Sequence, residues 1–382
     1  MRVLIDTTSI GRGPSGTATY LSGLIGALNE LDRVEVLEAS AKPRRRGKGD
    51  GAGRGPAGFA RSAANLAAAR RWLRHGLPAR ARESGADVVH HPLPAWSAGL
   101  AGAQVITVHD LAFERLPWAF DPAWRAVARV QHRRAALRAD GVICVSQTTA
   151  NDVRALWGLP PDRVSVAPHG APAASSASDA TPSPVPQGRL FALYVGDAEP
   201  RKNLPTLLAA WERHAADARR DGRESLALVV AGSAAACEEV RELEREAGPD
   251  LIAVDRPADS TLRALYASAE LLVHPSLHEG FGLTPLEAMA NGTAVLAARS
   301  PGLVEVCADA ASYFDPRDPQ ELARRLSELA ADPDERRRLG LAGERRAAVR
   351  LWSETAELHV DAYEMALTAR KADATPAPAG SQ

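Results

Sequence analysis

The sequence predicts an α/β protein of two domains built on parallel strands. Three observations carry that prediction. At 382 residues the chain exceeds what one hydrophobic core usually covers. Short apolar runs such as Val105–Val108 and Leu190–Val195 read as strands buried on both faces, separated by longer stretches of helix formers. Residues 171–187, rich in proline, serine and alanine, have the composition of a linker. An N-terminal domain is therefore expected over 1–170 and a C-terminal domain over 188–352.

Composition is that of a globular protein, with 45% hydrophobic and 24% charged residues. Net charge is −1, yet residues 1–170 carry 23 basic and 14 acidic side chains, whereas residues 171–382 carry 23 and 33. Such asymmetry points the N-terminal half toward an acidic partner. Cys144, Cys237 and Cys307 are too few and too scattered for a disulfide framework or a zinc site, which favours a reducing cytosol. The start M-R-V-L-I-D lacks the apolar core of a signal peptide, and no apolar run reaches the ~18 residues of a membrane span. A cytoplasmic protein is expected.

In chain order, Arg2–Asp6 is a short apolar strand, and T-T-S-I-G-R-G-P-S-G-T leads into a helix over about 19–31. Gly11, Gly13 and Gly16 satisfy G-x-G-x-x-G, but in a dinucleotide fold the first glycine follows the strand almost at once. Here other residues intervene and Pro14 sits inside the loop, so dinucleotide binding is discounted. Residues 41–60 form a basic, glycine-rich loop too polar to pack, and Arg61–Arg82 reads as a helix with arginines on one face. Across 41–82 stand 12 basic residues and one acid, Asp50. That surface suits anionic lipid headgroups at the inner membrane face or a phosphorylated acceptor, and a solvated charged face explains it equally well. Nucleic acid is not expected, because no binding motif accompanies the charge and aromatics are sparse.

Asp87–His90 and Val105–Val108 read as further buried strands, followed by a helix over 123–138, the strand Gly141–Val145, and R-V-S-V-A-P-H-G ending at Gly170. His90, His91 and His109 match no standard zinc spacing, so no metal site is expected. Asp332 and Asp334 form a D-x-D, but they stand in a proline-containing turn before a helix, where capping explains them better. The tail 372–382 is expected to be disordered.

Chemistry concentrates in the second half. After the strand Leu190–Val195 comes G-D-A-E-P-R-K-N-L, in which Arg201 offers a planar fork of donors and Lys202 a compact charge. Later the apolar run Leu271–Pro275 precedes Leu277–Gly292, L-H-E-G-F-G-L-T-P-L-E-A-M-A-N-G: a strand, a glycine-bearing loop and a short helix. Pro285 reads as the first helical position. The N–H groups of Phe281, Gly282, Leu283 and Thr284 and the helix dipole then face the loop mouth, where an anionic group binds well. Glu279 and Glu287 frame this mouth with seven residues between them. Carboxylates so close to a phosphate would repel it, so they are expected on hydroxyls. A sugar nucleotide offers both kinds of group.

The stretch H-E-G-F-G-L-T-P-L-E-A-M-A-N-G resembles the E-x7-E signature of the family 4 retaining glycosyltransferases. G-D-A-E-P-R-K-N-L resembles that family's donor-phosphate loop, with Asp197 where many relatives place a basic residue. T-V-H-D-L-A-F resembles its strand-end histidine loop, and the loop ending at Gly16 its first glycine-rich loop. The resemblance implies the GT-B fold, an α/β architecture of two facing Rossmann-like domains with a cleft between them, the last helix (353–371) crossing back onto the first. It implies a metal-independent hexosyltransferase that moves a mannose- or glucose-type sugar from a nucleoside diphosphate sugar to a hydroxyl acceptor, with no cofactor. The acceptor would be a glycan, a lipid-linked sugar or a small molecule.

By the same resemblance, Glu287 holds ribose hydroxyls and Glu279 those of the donor sugar. Lys202, ahead of Arg201, joins the helix-start amides on the leaving diphosphate. Gly16 lies near the diphosphate, Arg256 near the nucleobase, and His109 orients the sugar. Two rival readings are a sugar-nucleotide epimerase on the same scaffold and a non-catalytic binding protein for sugar nucleotides or membrane surfaces.

Overall fold

The computed structural model describes residues 1–12, 15–41, 56–172 and 184–374. The chain forms two compact units. The first comprises Met1–His109, Ala126–His169 and the chain from Trp352 onward; the second comprises Asp110–Arg125 and Gly170–Leu351. The stretch Asp110–Arg125, expected with the N-terminal domain, thus groups with the second unit.

The first unit is built on β1 (Arg2–Asp6), β2 (Glu35–Ala39), β3 (Val88–His91), β4 (Ala103–Val108), β5 (Gly141–Cys144) and β6 (Val164–Val166). They pair in parallel in the order β2-β1-β3-β4-β5-β6, with Val3 opposite both Val36 and Val88. Buried residues, mostly aliphatic but including His90, His91, Gln104 and Thr107, occupy both faces of β1, β3, β4 and β5, as a sheet covered by helices on each side requires. The helix Gly16–Leu28, capped by the Ser15 hydroxyl, buries Tyr20, Leu21, Leu24 and Leu28 against Ala356, Val360, Tyr363 and Ala366 of the C-terminal helix Trp352–Ala374. Gly23 permits this packing, since a Cβ there would stand 2.3 Å from the Trp352 ring.

The helix expected over Arg61–Arg82 is present and runs longer at both ends, with a π bulge inside it. Pro56–Arg71 is α-helical, Trp72–Gly76 is a π turn, and Leu77–Ser84 resumes the α-helix. Pro78 is the physical reason, because it lacks the N–H that would continue the ladder and its ring crowds the preceding turn. Residues 42–55, expected as part of a basic loop, residues 173–183 of the expected linker and the tail from 375 lie outside the described residues. No helix among the described residues is long and apolar enough to cross a membrane.

The second unit holds β7 (Phe191–Val195), β8 (Ala227–Ala231), β9 (Leu251–Val254), β10 (Leu271–His274), β11 (Ala294–Ala298) and β12 (Ser312–Phe314). Their order is β12-β11-β10-β7-β8-β9, again all parallel. The chain steps outward from β7 to β9, then returns to the other side of β7 as β10. That reversal makes the gap between β7 and β10 a topological switch point, and in open α/β sheets ligands bind outside the carboxyl ends of the strands at such a point. Both loops singled out in the sequence begin there.

Candidate active site

At the carboxyl end of β7 a single 3-10 turn, Pro200–Lys202, is closed by Asn203 in the left-handed conformation, φ 59°. Asparagine tolerates that region better than most residues. Its side chain also ties three loops together. Nδ2 donates to the Pro275 carbonyl at 3.1 Å and to the Pro316 carbonyl at 2.8 Å, while Oδ1 accepts from Thr206 at 2.7 Å. The Leu277 amide donates to the Arg201 carbonyl at 2.9 Å, so the loops after β7 and β10 are fixed against one another.

The result is an ion-paired cluster around Glu279. Lys202 Nζ donates to Glu279 Oε1 at 2.7 Å and Arg201 Nη1 to Oε2 at 3.3 Å. His274, the last residue of β10, reaches Oε1 from Nε2 at 3.1 Å. Burial alone would raise the Glu279 carboxyl, but Lys202, the hydrogen bond from His274 and Arg201 outweigh it and hold the group well below the usual carboxylate range. Burial also lowers His274, so the ring is neutral and Nε2 carries the proton that meets the carboxylate. Arg201 is shared further, since its Nε donates to Glu199 at 2.7 Å. Of three N–H donors on Lys202 Nζ, Glu279 engages one. The cation best placed to take on a further anion is therefore Lys202.

The helix after this loop spans Leu283–Ala290, two residues earlier than the start expected at Pro285. Gly282 sets the start. It adopts φ 109°, and a Cβ there would stand 2.9 Å from Leu303, so only glycine turns the chain at this point. Pro285 is the third helical residue, and Glu287 falls in the second turn rather than the first. The first intrahelical bond runs from the Leu286 amide to the Gly282 carbonyl at 3.3 Å, so the amides of Leu283 and Thr284 precede the ladder. Phe281 is buried beside them at 5% exposure. Glu287 Oε2 accepts from the Tyr266 hydroxyl at 2.6 Å. Burial raises its carboxyl pKa, Tyr266 lowers it, and Asp259 raises it further, leaving it above the ordinary value.

Two further residues named from the sequence lie in the first unit. Gly16 opens the helix Gly16–Leu28 next to its cap. His109 follows β4, donates from Nε2 to the Pro92 carbonyl at 3.0 Å, and meets the Tyr20 ring edge-on at 5.1 Å. Arg256 follows β9 in the second unit with φ 44°, its side chain 69% exposed and 3.7 Å from Asp255. Asp197 is held by the Ser233 hydroxyl. Asp332 accepts from the Glu335 amide at 2.9 Å and caps the helix Pro333–Ala348, so this member of the D-x-D does what capping requires.

Sequence reasoning missed His274, Tyr266, Asn203 and Gly302. His274 left a signal, a polar residue ending an otherwise apolar strand; Tyr266 left none. Gly302 supports Glu279 from the start of the helix Pro301–Cys307, because a Cβ there would stand 2.1 Å from the Glu279 carbonyl oxygen. A backbone atom cannot move aside cheaply. Gly302→Ala is therefore expected to displace Glu279 and lower turnover by up to about 10²-fold, the loss that a misplacement of about 1 Å in a substrate-positioning group brings. Steady-state kinetics beside a circular dichroism spectrum check it.

Comparison with known proteins gives the class first. Sucrose-phosphate synthase from Thermosynechococcus elongatus superposes with a TM-score of 0.76 at 20% identity, covering 97% of this chain and 100% of that one. Anabaena HepE in complex with UDP-glucose superposes with a TM-score of 0.68 at 18% identity, with the same coverage. The fold is GT-B. The chain matches the family models described as Glycosyl transferases group 1, over residues 177–346, and Glycosyltransferase Family 4, over residues 14–174. It is 30% identical over 315 residues to alpha-maltose-1-phosphate synthase of Mycolicibacterium smegmatis, covering 73% of this chain and 79% of that protein. It is also 30% identical over 248 residues to the serotype-specific mannosyltransferase WbdA of Escherichia coli, which covers 61% of this chain. The chain spans only 30% of the length of that relative. This chain belongs to the group 1, family 4 glycosyl transferases.

Proposed function

We propose that the protein transfers a hexose from a nucleoside diphosphate sugar to a hydroxyl acceptor, with retention at the anomeric carbon. One observation carries the reading: Lys202 and Arg201 are locked against Glu279 at the switch point of the second unit, beside a helix start. In the reaction the bond from the anomeric carbon to the diphosphate oxygen breaks, and that oxygen keeps the electron pair. The acceptor oxygen bonds to the same carbon, and its proton passes to the departing diphosphate oxygen. Lys202, Arg201 and the amides of Leu283 and Thr284 stabilise the growing charge on the diphosphate, and no metal is assigned to that task. Glu279 and Glu287 accept from sugar and ribose hydroxyls.

The relatives support the choice of sugar class, since one is a mannosyltransferase, another a maltose-1-phosphate synthase, and HepE is seen with UDP-glucose. A glycan or lipid-linked acceptor fits the basic segment 41–82, with the anionic membrane face as its setting. The deciding experiment is NMR of UDP-glucose and GDP-mannose with the protein, first alone and then with a panel of hydroxyl acceptors. Transfer appearing only with acceptor supports the reading. Turnover of donor alone makes the protein an epimerase, and binding without turnover in every mixture makes it a binding protein.

Tyr266→Phe tests the role of Glu287. Losing the hydroxyl removes the interaction that lowers the Glu287 carboxyl, so its pKa rises further. A protonated carboxyl is a poorer acceptor for ribose. Donor KM is expected to rise roughly threefold to tenfold, the worth of one hydrogen bond, with kcat little changed. The rise steepens as pH falls and sets in at higher pH than in the parent, and a KM profile against pH checks it.

A further inference from the structure

A cavity of about 510 Å³ opens in the second unit at the carboxyl ends of β11 and β12, bordered by Asn203 and Leu277 of the switch-point loops. Its walls include Trp118, Asn203, Arg299, Ser300, Asp315 and Arg317. Three features of these residues are unexplained by the chemistry above.

The first is Ser300, which is 2% exposed and whose hydroxyl meets no hydrogen-bond partner among the described residues. It stands at the N-cap of the helix Pro301–Cys307, where serine ordinarily bonds to the helix, yet no such bond forms. A buried hydroxyl left in this state is costly, and one turn of the Ser300 side chain toward the cavity would let a ligand hydroxyl satisfy it. The second is the charge. Arg299 lies over the Tyr313 ring at 5.1 Å, which fixes the guanidinium, and neither it nor Arg317 pairs with a carboxylate among the described residues. Asp315 instead accepts from the Arg317 amide at 2.9 Å. The third is Trp118, a 65% exposed indole on the cavity wall. An aromatic face, an unsatisfied buried hydroxyl and two arginine forks are a donor set for a polyhydroxylated ring that carries negative charge.

We propose that this cavity is a binding site for an anionic saccharide, separate from the donor site. The ring packs on Trp118, a hydroxyl meets Ser300, and the carboxylate or phosphate of the sugar takes Arg299 and Arg317. Asn203 forms the shared wall, because it lines the cavity and directly follows Lys202.

Saturation-transfer NMR with glucuronic acid, glucose 6-phosphate and glucose as probes tests the assignment on the full chain. Signal from one or both charged sugars, with none from glucose at equal concentration, is the expected result, and the stronger of the two names the charged group. The Arg299→Ala, Arg317→Ala double variant is expected to weaken that binding at least tenfold, and Ser300→Ala to weaken it less. Both should keep the parent circular dichroism spectrum, and Lys202→Ala should keep the binding. Absence of signal from both charged sugars overturns the proposal. So does binding that survives the double arginine variant or vanishes in Lys202→Ala, since either outcome places the sugar elsewhere.

Discussion

Lys202→Ala is expected to lower kcat/KM by about 10²–10³, the usual effect of deleting one preorganised donor to a developing charge. The Lys202 side chain is 15% exposed and its ammonium sits 2.7 Å from Glu279 Oε1, so water replaces it poorly. The variant has a second signature that a purely structural loss would lack. Among the groups that hold the Glu279 carboxyl down, Lys202 contributes most. Without it the balance tips toward burial, and the pKa rises. The acid limb of the rate profile, where Glu279 takes up a proton, should therefore move to higher pH in the variant. Kinetics across pH 4 to 8, with a thermal melt to confirm folding, measure both effects. Unchanged turnover would remove Lys202 from the mechanism.

How much of this site could be read from the chain follows from which of its contacts are local. The loop and helix from Leu277 to Gly292 were legible because strand, glycine turn and helix follow one another directly. The helix start was misplaced because the preference of proline for a first helical position competes with a glycine that alone can adopt φ 109°, and the turn decided the matter. The pairing of Glu279 with Lys202 was not legible at all. The two lie 77 positions apart and meet only because β10 returns beside β7, a property of strand order that no local pattern encodes. β2 and β12 went unread for another reason. Both are sheet edges, half exposed, and β12 is three residues long, so neither shows the continuous apolar run of a central strand.

The same non-local logic governs the first unit, where the second large effect is expected. His359 on the C-terminal helix donates from Nδ1 to the Thr355 carbonyl at 2.7 Å. A carbonyl only accepts, so in the neutral ring Nε2 is the acceptor and takes the Tyr20 hydroxyl proton at 2.9 Å. The Tyr20 oxygen then accepts from Thr107 at 2.9 Å, Thr107 accepts from His90 Nε2 at 2.8 Å, and His90 Nδ1 accepts from Tyr363 at 2.8 Å. One terminal carbonyl thus orients every proton in a buried chain that begins and ends on the helix Trp352–Ala374. The chain closes only if both histidines are neutral.

Burial keeps them so, driving His90 well below its ordinary value and His359 to about 4. Because both folded pKa values lie below the unfolded value of about 6.5, this contribution to stability is complete above that pH and is lost as pH falls. For His359 alone the loss by pH 5 is on the order of 2 kcal/mol, and His90 adds to it. Hydrogen exchange over 352–374 should accelerate between pH 7 and pH 5 well beyond the change seen in the second unit. His359→Gln, which cannot titrate, should weaken protection at pH 7 but flatten its dependence on pH. Equal pH dependence in the parent and in His359→Gln would show that the network does not govern how firmly the last helix is held.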